Sequence, residues 1–325
     1  MSEKREDIGF DNPYSLGAYT EDIEHRENKA QYIKYFHKNF SYYRDIDNIA
    51  DAAVLHSYST LAFNNDRPYQ SLYLFEQALI QGKVPFDIIY DDDLKDLSRY
   101  KVLILADVEC LSDEKLELIR DFVKHGGGLV ATEHTSLYNE YRRRKRDFGL
   151  EDLFGTTAPR WLGRRYPESI LNIPLKKNLI GNGRVVYLPE VIPAIIKPAT
   201  EEMRSQYWKL PLNWKELIKS VEWAADSELT LETNAPETVA MEVTEKRDSS
   251  CIMVHLLNYN NERDPILTNI LVSLKIPFNY GIGNVELFSP DMDKTVNIDF
   301  DVENSRLTFV IPELRNYDLT VIRRR

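Results

Sequence analysis

The stretch GGGLVATEHTSLYNE ends an apolar run with four chemically capable residues in a row: Glu133, His134, Thr135 and Ser136. Open α/β sheets bind ligands at the carboxyl ends of their strands, so this is the first place to look for chemistry. A carboxylate there can serve as a general base with a neighbouring imidazole assisting, which makes Glu133 and His134 the candidate catalytic residues. Thr135 and Ser136 are candidate ligand contacts. A basic run comes next, Arg142, Arg143, Arg144, Lys145 and Arg146, with Arg160, Arg164 and Arg165 further on. In a chain of net charge −11 this island suits an acidic partner or an anionic ligand; the plainer reading is a solvated loop. Trp161, Trp208, Trp214 and Trp223 lie beyond it. Aromatic faces stack on sugar rings, although they serve as core and interface more often. Arg142, Arg143, Arg144 and Trp161 complete the set of candidate ligand or partner contacts.

Other groups carry less. Cys110 and Cys251 lie far apart with no CxxC pair, which suits a reducing compartment and small buried fillers rather than a disulfide framework. Asp91, Asp92 and Asp93 could hold a hard cation, but adjacent carboxylates on a loop rarely converge on one ion, and a solvated turn is expected. Gly126, Gly127 and Gly128 run from a helix into a strand, whereas phosphate loops run from a strand into a helix. The six histidines show no metal-ligand spacing; His56 and His255 fall in strands and are expected to be packed or locally hydrogen-bonded. No metal or cofactor is expected.

The elements that position these residues alternate. AAVLHS from Ala52, FDIIY at Phe86–Tyr90, KVLILAD at Lys101–Asp107 and GLVATE from Gly128 are short apolar runs of the kind covered on both faces of a parallel sheet. Between them lie a helix opened by Pro68, with Leu72, Phe75, Ala78 and Leu79 on one face, and a second capped by Ser112, with Leu116, Ile119, Phe122 and Val123. The chain is then loop-rich to about Pro211, apart from a strand RVVYLP at Arg184–Pro189, and a helix from Trp214 to Ala225 closes the region. Before the sheet, Tyr32, Ile33, Phe36, Phe40 and Tyr43 give a helix over Glu27–Tyr43 one apolar face. Beyond Asp226 the period drops to two: Val239, Met241 and Val243; Val296, Ile298 and Phe300; Leu307, Phe309 and Ile311. Such runs separated by turn clusters predict an antiparallel β-sandwich. The expected organisation is an N-terminal helical segment (1–51), an α/β domain with a parallel sheet and helices on both faces (52–225), and a C-terminal β-sandwich (226–325).

Composition is that of a globular protein, 43% hydrophobic and 29% charged. No run is long and apolar enough to span a bilayer, and the charged start lacks a signal core; a soluble, cytoplasmic protein is expected. The acidic balance argues against nucleic acid as a partner.

Two resemblances sharpen this outline. Class I glutamine amidotransferases carry a strand, a sharp turn bearing a nucleophilic cysteine, and a helix; GLVATEHTS resembles that elbow with Glu133 where the cysteine would stand. This gives the flavodoxin-like or amidotransferase-like sheet as the expected fold. A carboxylate does not replace the thiolate in attacking an amide, and Cys110 lies after a different strand. The whole stretch VLILADVECLSDEKLELIRDFVKHGGGLVATEHTSLYNEYRRRKRDFGLEDLFG resembles the β-galactosidase trimerisation domain of family 42 glycoside hydrolases. GNGRVVYLPE, MVHLLNYNNERDPI and the tail LFSPDMDKTVNIDFDVENSRLTFVIPELRNYDLTVI resemble the end of that module and the C-terminal β-domain of those relatives. The resemblance spans roughly Asp51 to the C-terminus. It implies a module that lacks the amidotransferase cysteine and helps assemble oligomers, with glycosidic chemistry carried by two glutamates of an N-terminal (β/α)8 barrel.

Such a barrel needs about 250 residues, far more than precede the sheet here, so its glutamates are assigned to no position. The expectation is an accessory or oligomerisation protein of carbohydrate metabolism, not catalytic on its own, partnered by further copies of itself (a dimer or trimer) or by a separate barrel subunit. The alternatives are a hydrolase at Glu133 and His134, or a carbohydrate-binding module.

Overall fold

Five apolar runs assemble side by side, and the amphipathic stretches between them supply the cover. The computed structural model describes residues 23–159, 173–195, 209–226, 229–260, 266–277, 280–292 and 294–325. Helix α1 (Ile23–Lys38) and a 3₁₀ turn (Phe40–Tyr43) lead to strand β1 (Ile46–Asn48). Then come β2 (Ala52–His56), α2 (Tyr58–Phe63), α3 (Arg67–Gln81), β3 (Phe86–Tyr90), β4 (Val102–Leu105), α4 (Asp113–Lys124), β5 (Gly128–Thr132), α5 (Glu151–Phe154), β6 (Lys176–Ile180), β7 (Gly183–Leu188) and α6 (Trp214–Ala224). The sheet order is β3-β2-β4-β5-β7-β6. The first five strands in that order are parallel, and β6 is an antiparallel edge. This is the mixed α/β sheet expected, with an added hairpin inside the stretch read as loop-rich. Its tight turn requires glycine: Gly181 has φ +60°, and a Cβ on Gly183 would sit 2.0 Å from the Val123 carbonyl oxygen.

Helices cover both faces because alternate strand residues face opposite ways. On one face Leu116, Ile119 and Val123 of α4 pack on Leu103, Leu105 and Leu129. On the other, Leu72, Phe75 and Leu79 of α3 and Leu217 and Val221 of α6 pack on Val54, Ile104, Val130 and Val186. A fully buried side chain of this kind contributes about 1.5–3 kcal/mol relative to exposure, so these two layers hold the strand ends in place. Helix α4 begins where Ser112 Oγ accepts the Lys115 N–H at 3.4 Å, with Asp113 and Glu114 in its first turn, as its sequence predicts.

The second half contains β8 (Leu231–Thr233), β9 (Val239–Lys246), β10 (Cys251–Asn258), β11 (Leu267–Lys275), β12 (Ile282–Phe288), β13 (Val296–Asn297), β14 (Phe300–Glu303), β15 (Arg306–Leu314) and β16 (Tyr317–Arg324). They form two antiparallel sheets, β1-β9-β10-β16-β12-β13 and β14-β15-β11-β8. Val254, Leu256, Val272, Leu274, Phe309 and Ile322 are among the buried residues of their common core. Two details differ from the sequence reading. Val296, Ile298 and Phe300 do not share a strand: β13 pairs with β12, β14 pairs with β15, and the chain crosses between sheets at Ile298 and Asp299. The N-terminal segment belongs to this half as well, since Ile46 pairs with Lys246 in β9.

Helix α1 lies on the same half, and its buried face is not the one the aromatic spacing suggested. Tyr35 and Asn39 are buried, whereas Ile33, Phe36 and Phe40 are exposed. The buried stripe runs through Tyr35 and Asn39, with Tyr32 of the expected face half-buried beside it, and Phe36 and Phe40, each one residue further on, lie about 100° away from it. The Tyr35 ring meets Tyr317 edge-on at 6.0 Å. The α/β sheet and the sandwich are tied through Asp51, which accepts the Thr230 backbone N–H at 2.6 Å and its hydroxyl at 2.7 Å and pairs with Lys101 at 2.8 Å.

Candidate functional site

After β2 the chain builds β3 on one side and then returns to build β4 on the other, so the strand order reverses between β2 and β4. Crevices at such a point, beyond the strand carboxyl ends, are where open sheets bind ligands. Asp107 lies just past β4 and Glu133 just past β5, each with positive φ (51° and 54°). The turn after β5 is as sharp as expected, yet it leads into no helix: residues 133–136 form consecutive turns.

At this elbow Glu133 is not presented to solvent. Glu133 is only 3% exposed. One carboxylate oxygen pairs with Arg67 of α3 and accepts the Val191 N–H at 3.2 Å; the other accepts Ser71 Oγ at 2.6 Å. Its backbone carbonyl accepts the buried Tyr187 hydroxyl at 2.6 Å. Arg67 also reaches Glu190 at 3.1 Å and the Val191 carbonyl at 2.8 Å. Burial, reinforced by Asp107, pushes Glu133 up to about 8, while Arg67 and Ser71 pull it back.

Asp107 is fully buried. Its Oδ1 accepts both the His134 backbone N–H at 2.9 Å and His134 Nδ1 at 3.2 Å, and its Oδ2 has no hydrogen-bond partner. Burial and the nearby Glu109 push Asp107 up to about 7. Burial lowers His134 below the ordinary imidazole range. Glu109 is buried too, with Asn64 Nδ2 donating to it at 2.9 Å and Arg142 Nη2 3.1 Å from its other oxygen. Asp107, Glu109 and His134 each place a potential metal-ligand atom within 4.8 Å of the other two.

Residues 50–164 match the β-galactosidase trimerisation domain. No curated protein sequence matches the chain. Among solved structures, the chain is similar to an α-L-fucosidase from Paenibacillus thiaminolyticus, with TM-score 0.60 and 19% identity over 89% of this chain and 51% of that one. It is also similar to a β-galactosidase from Bacillus circulans, with TM-score 0.54 and 17% identity over 86% and 42%. A third is a GH42 β-galactosidase from G. stearothermophilus, with TM-score 0.53 and 17% identity over 85% and 40%. The chain thus spans about half or less of the structures it resembles, and what it shares with them is the fold.

Within the trimerisation-domain match the remaining predicted site residues have separate fates. Thr135 is fully buried and its hydroxyl bonds the Leu105 and Thr132 carbonyls at 2.9 and 2.7 Å. Ser136 is fully buried with its hydroxyl accepting the Leu150 N–H at 3.1 Å. Both therefore brace the turn. Arg142 joins the Glu109 cluster and donates to the Phe63 carbonyl. Arg144 bonds the carbonyls of Lys145 and Pro159 at 2.9 and 3.0 Å, and Arg143 is exposed. The basic run is thus divided among different tasks. Trp161, with Arg160, Arg164, Arg165 and Trp208, lies outside the described residues. Trp223 has Lys177 and Arg184 over its ring at 5.0 and 5.2 Å. Asp91 is buried and paired with Lys115 at 2.8 Å, not solvated. His56 bonds Glu76 at 2.5 Å and His255 bonds Tyr317 at 2.7 Å, as expected of packed strand histidines.

Sequence reasoning passed over Asp107, Glu109, Arg67 and Ser71. The signal for Asp107 was available: it ends the LILAD run just as Glu133 ends LVATE, and neighbouring parallel strands bring their ends together.

Proposed function

We propose that this chain is an assembly element of a glycoside hydrolase system, associating with further copies of itself. The single observation that carries this reading is the trimerisation-domain match over residues 50–164, set in a fold that continues into the β-domain as in the glycosidases it resembles. Two features of the site support a structural role for the elbow. Glu133 has both carboxylate oxygens engaged by Arg67, Ser71 and the Val191 N–H. Cys110 is buried, and burial with the adjacent Glu109 pushes its thiol up to about 11, the opposite of an activated nucleophile. In this reading sugar cleavage is carried by a (β/α)8 barrel outside the described residues.

Aromatic side chains suited to a subunit contact are exposed near the strand carboxyl ends. Tyr58 stacks on Tyr90 at 5.1 Å, and Phe63 and Tyr141 are more than half exposed. Among the described residues no helix is long and apolar enough to cross a membrane.

Sedimentation velocity at micromolar concentration tests the reading. A dimer or trimer that dissociates when Tyr58 and Tyr141 are both changed to Asp is expected; a monomer throughout defeats it, as does robust turnover of aryl glycosides or glutamine by the purified chain.

A further inference from the structure

We propose that Asp107, Glu109 and His134 bind one divalent cation of the zinc class at the carboxyl ends of β4 and β5. Three independent features lead here. The first is convergence: residues 27 positions apart in sequence bring three ligand atoms within 4.8 Å of one another. Zinc bonds of about 2.0–2.1 Å place tetrahedral ligand atoms roughly 3.4 Å apart, so a small contraction closes the set. The second is an unmet need. Asp107 Oδ2 is buried in a residue with no exposure and has no hydrogen-bond partner other than the Glu133 carboxyl in its acid form; buried polar atoms in native proteins are nearly always paired, and a cation would supply a partner for the ionised pair. Glu109 Oε2 is ion-paired with the Arg142 guanidinium at 3.1 Å, a pairing that the cation would replace. The third is orientation. Asp107 Oδ1 holds the His134 backbone N–H at 2.9 Å, and Asn64 holds Glu109 through its other oxygen at 2.9 Å.

One imidazole nitrogen and two carboxylate oxygens suit zinc better than magnesium or calcium, which take oxygen ligands. Three protein ligands leave a coordination position open for water or a ligand oxygen. Arg142 opposes the cation electrostatically. Its side chain is 31% exposed, so it can turn towards solvent when the metal enters. The acidic 3₁₀ turn at Asp91–Lys95 provides an internal control, because its carboxylates are adjacent in sequence and Asp91 is already paired with Lys115.

The experiment is calorimetric titration of the chelator-treated full chain with zinc chloride, alongside Glu109→Gln, His134→Ala and an Asp92→Asn/Asp93→Asn control. One zinc per chain is expected, with the control unchanged. Each ligand variant should lose roughly 100-fold or more in affinity, beyond the 10–100-fold typical of an outer-shell partner. Histidine-labelled NMR of the unmutated chain gives a readout that does not depend on how the variants fold: zinc should shift the His134 ring. No zinc binding, affinity in both ligand variants unchanged from the parent chain (an adventitious ion only), or an unshifted His134 ring overturns the proposal.

Discussion

Ser71 donates its hydroxyl to Glu133 at 2.6 Å, joining helix α3 to the end of strand β5 through a carboxylate with almost no solvent contact. Together with Arg67 this makes the acid at the elbow a strut between two layers of the sheet domain. Removing it leaves the Ser71 hydroxyl and the Val191 N–H without their acceptor and takes one acceptor from Arg67, which keeps Glu190 and the Val191 carbonyl. Glu133→Ala should therefore destabilise the protein by about 1–3 kcal/mol, the cost of leaving buried donors unsatisfied. Glu133→Gln keeps one acceptor oxygen and should lose less. Denaturant melts of the two variants measure this; a Glu133→Ala protein as stable as the parent would mean that the strut is idle.

Cys110 offers a check on the absence of thiol chemistry. With its thiol pushed up to about 11, roughly one molecule in ten thousand carries a thiolate at neutral pH. Iodoacetamide should label Cys110 and Cys251 only after unfolding, since both are buried. Rapid labelling of native Cys110, located by peptide mass, would restore it as a nucleophile.

Asp318 of β16 gives stability a pH dependence whose sign can be worked out. It is buried, its Oδ2 lacks a hydrogen-bond partner, and burial, with Asp291 and Glu313 adding to it, pushes it up to about 7 from 3.8. Because the folded state holds this proton more tightly than the unfolded one, the folded state is favoured at low pH. That contribution fades as pH rises from about 4 through about 7. Asp318→Asn removes the charge that has to be buried, so it should stabilise by about 1–3 kcal/mol at pH 8 and not at pH 4. Thermal melts across this range decide it, and a gain that does not grow with pH would contradict the assignment.

The sequence alone determined the layers. Fully apolar runs such as VLIL can only be strands covered on both faces, α3 and α4 carry one apolar stripe each, and the two-residue period beyond Asp226 can only bury one side of a sheet. Periodicity records which face an element hides, and that is a local property. The position of the elbow was legible for the same reason, because Glu133 ends an apolar strand. What α1 packs on, which of its faces is hidden, and that β1 completes the sandwich were decided by tertiary pairing, since a short polar strand such as Ile46–Asn48 has no pattern of its own. The chemistry of the site was decided there too. Whether a carboxylate is a base, a strut or a ligand depends on burial and on donors far away in the chain: the parallel registration of β4 beside β5 sets Asp107 against His134, and the packing of α3 and the residues before it on the sheet brings Arg67, Ser71 and Asn64 to the acids.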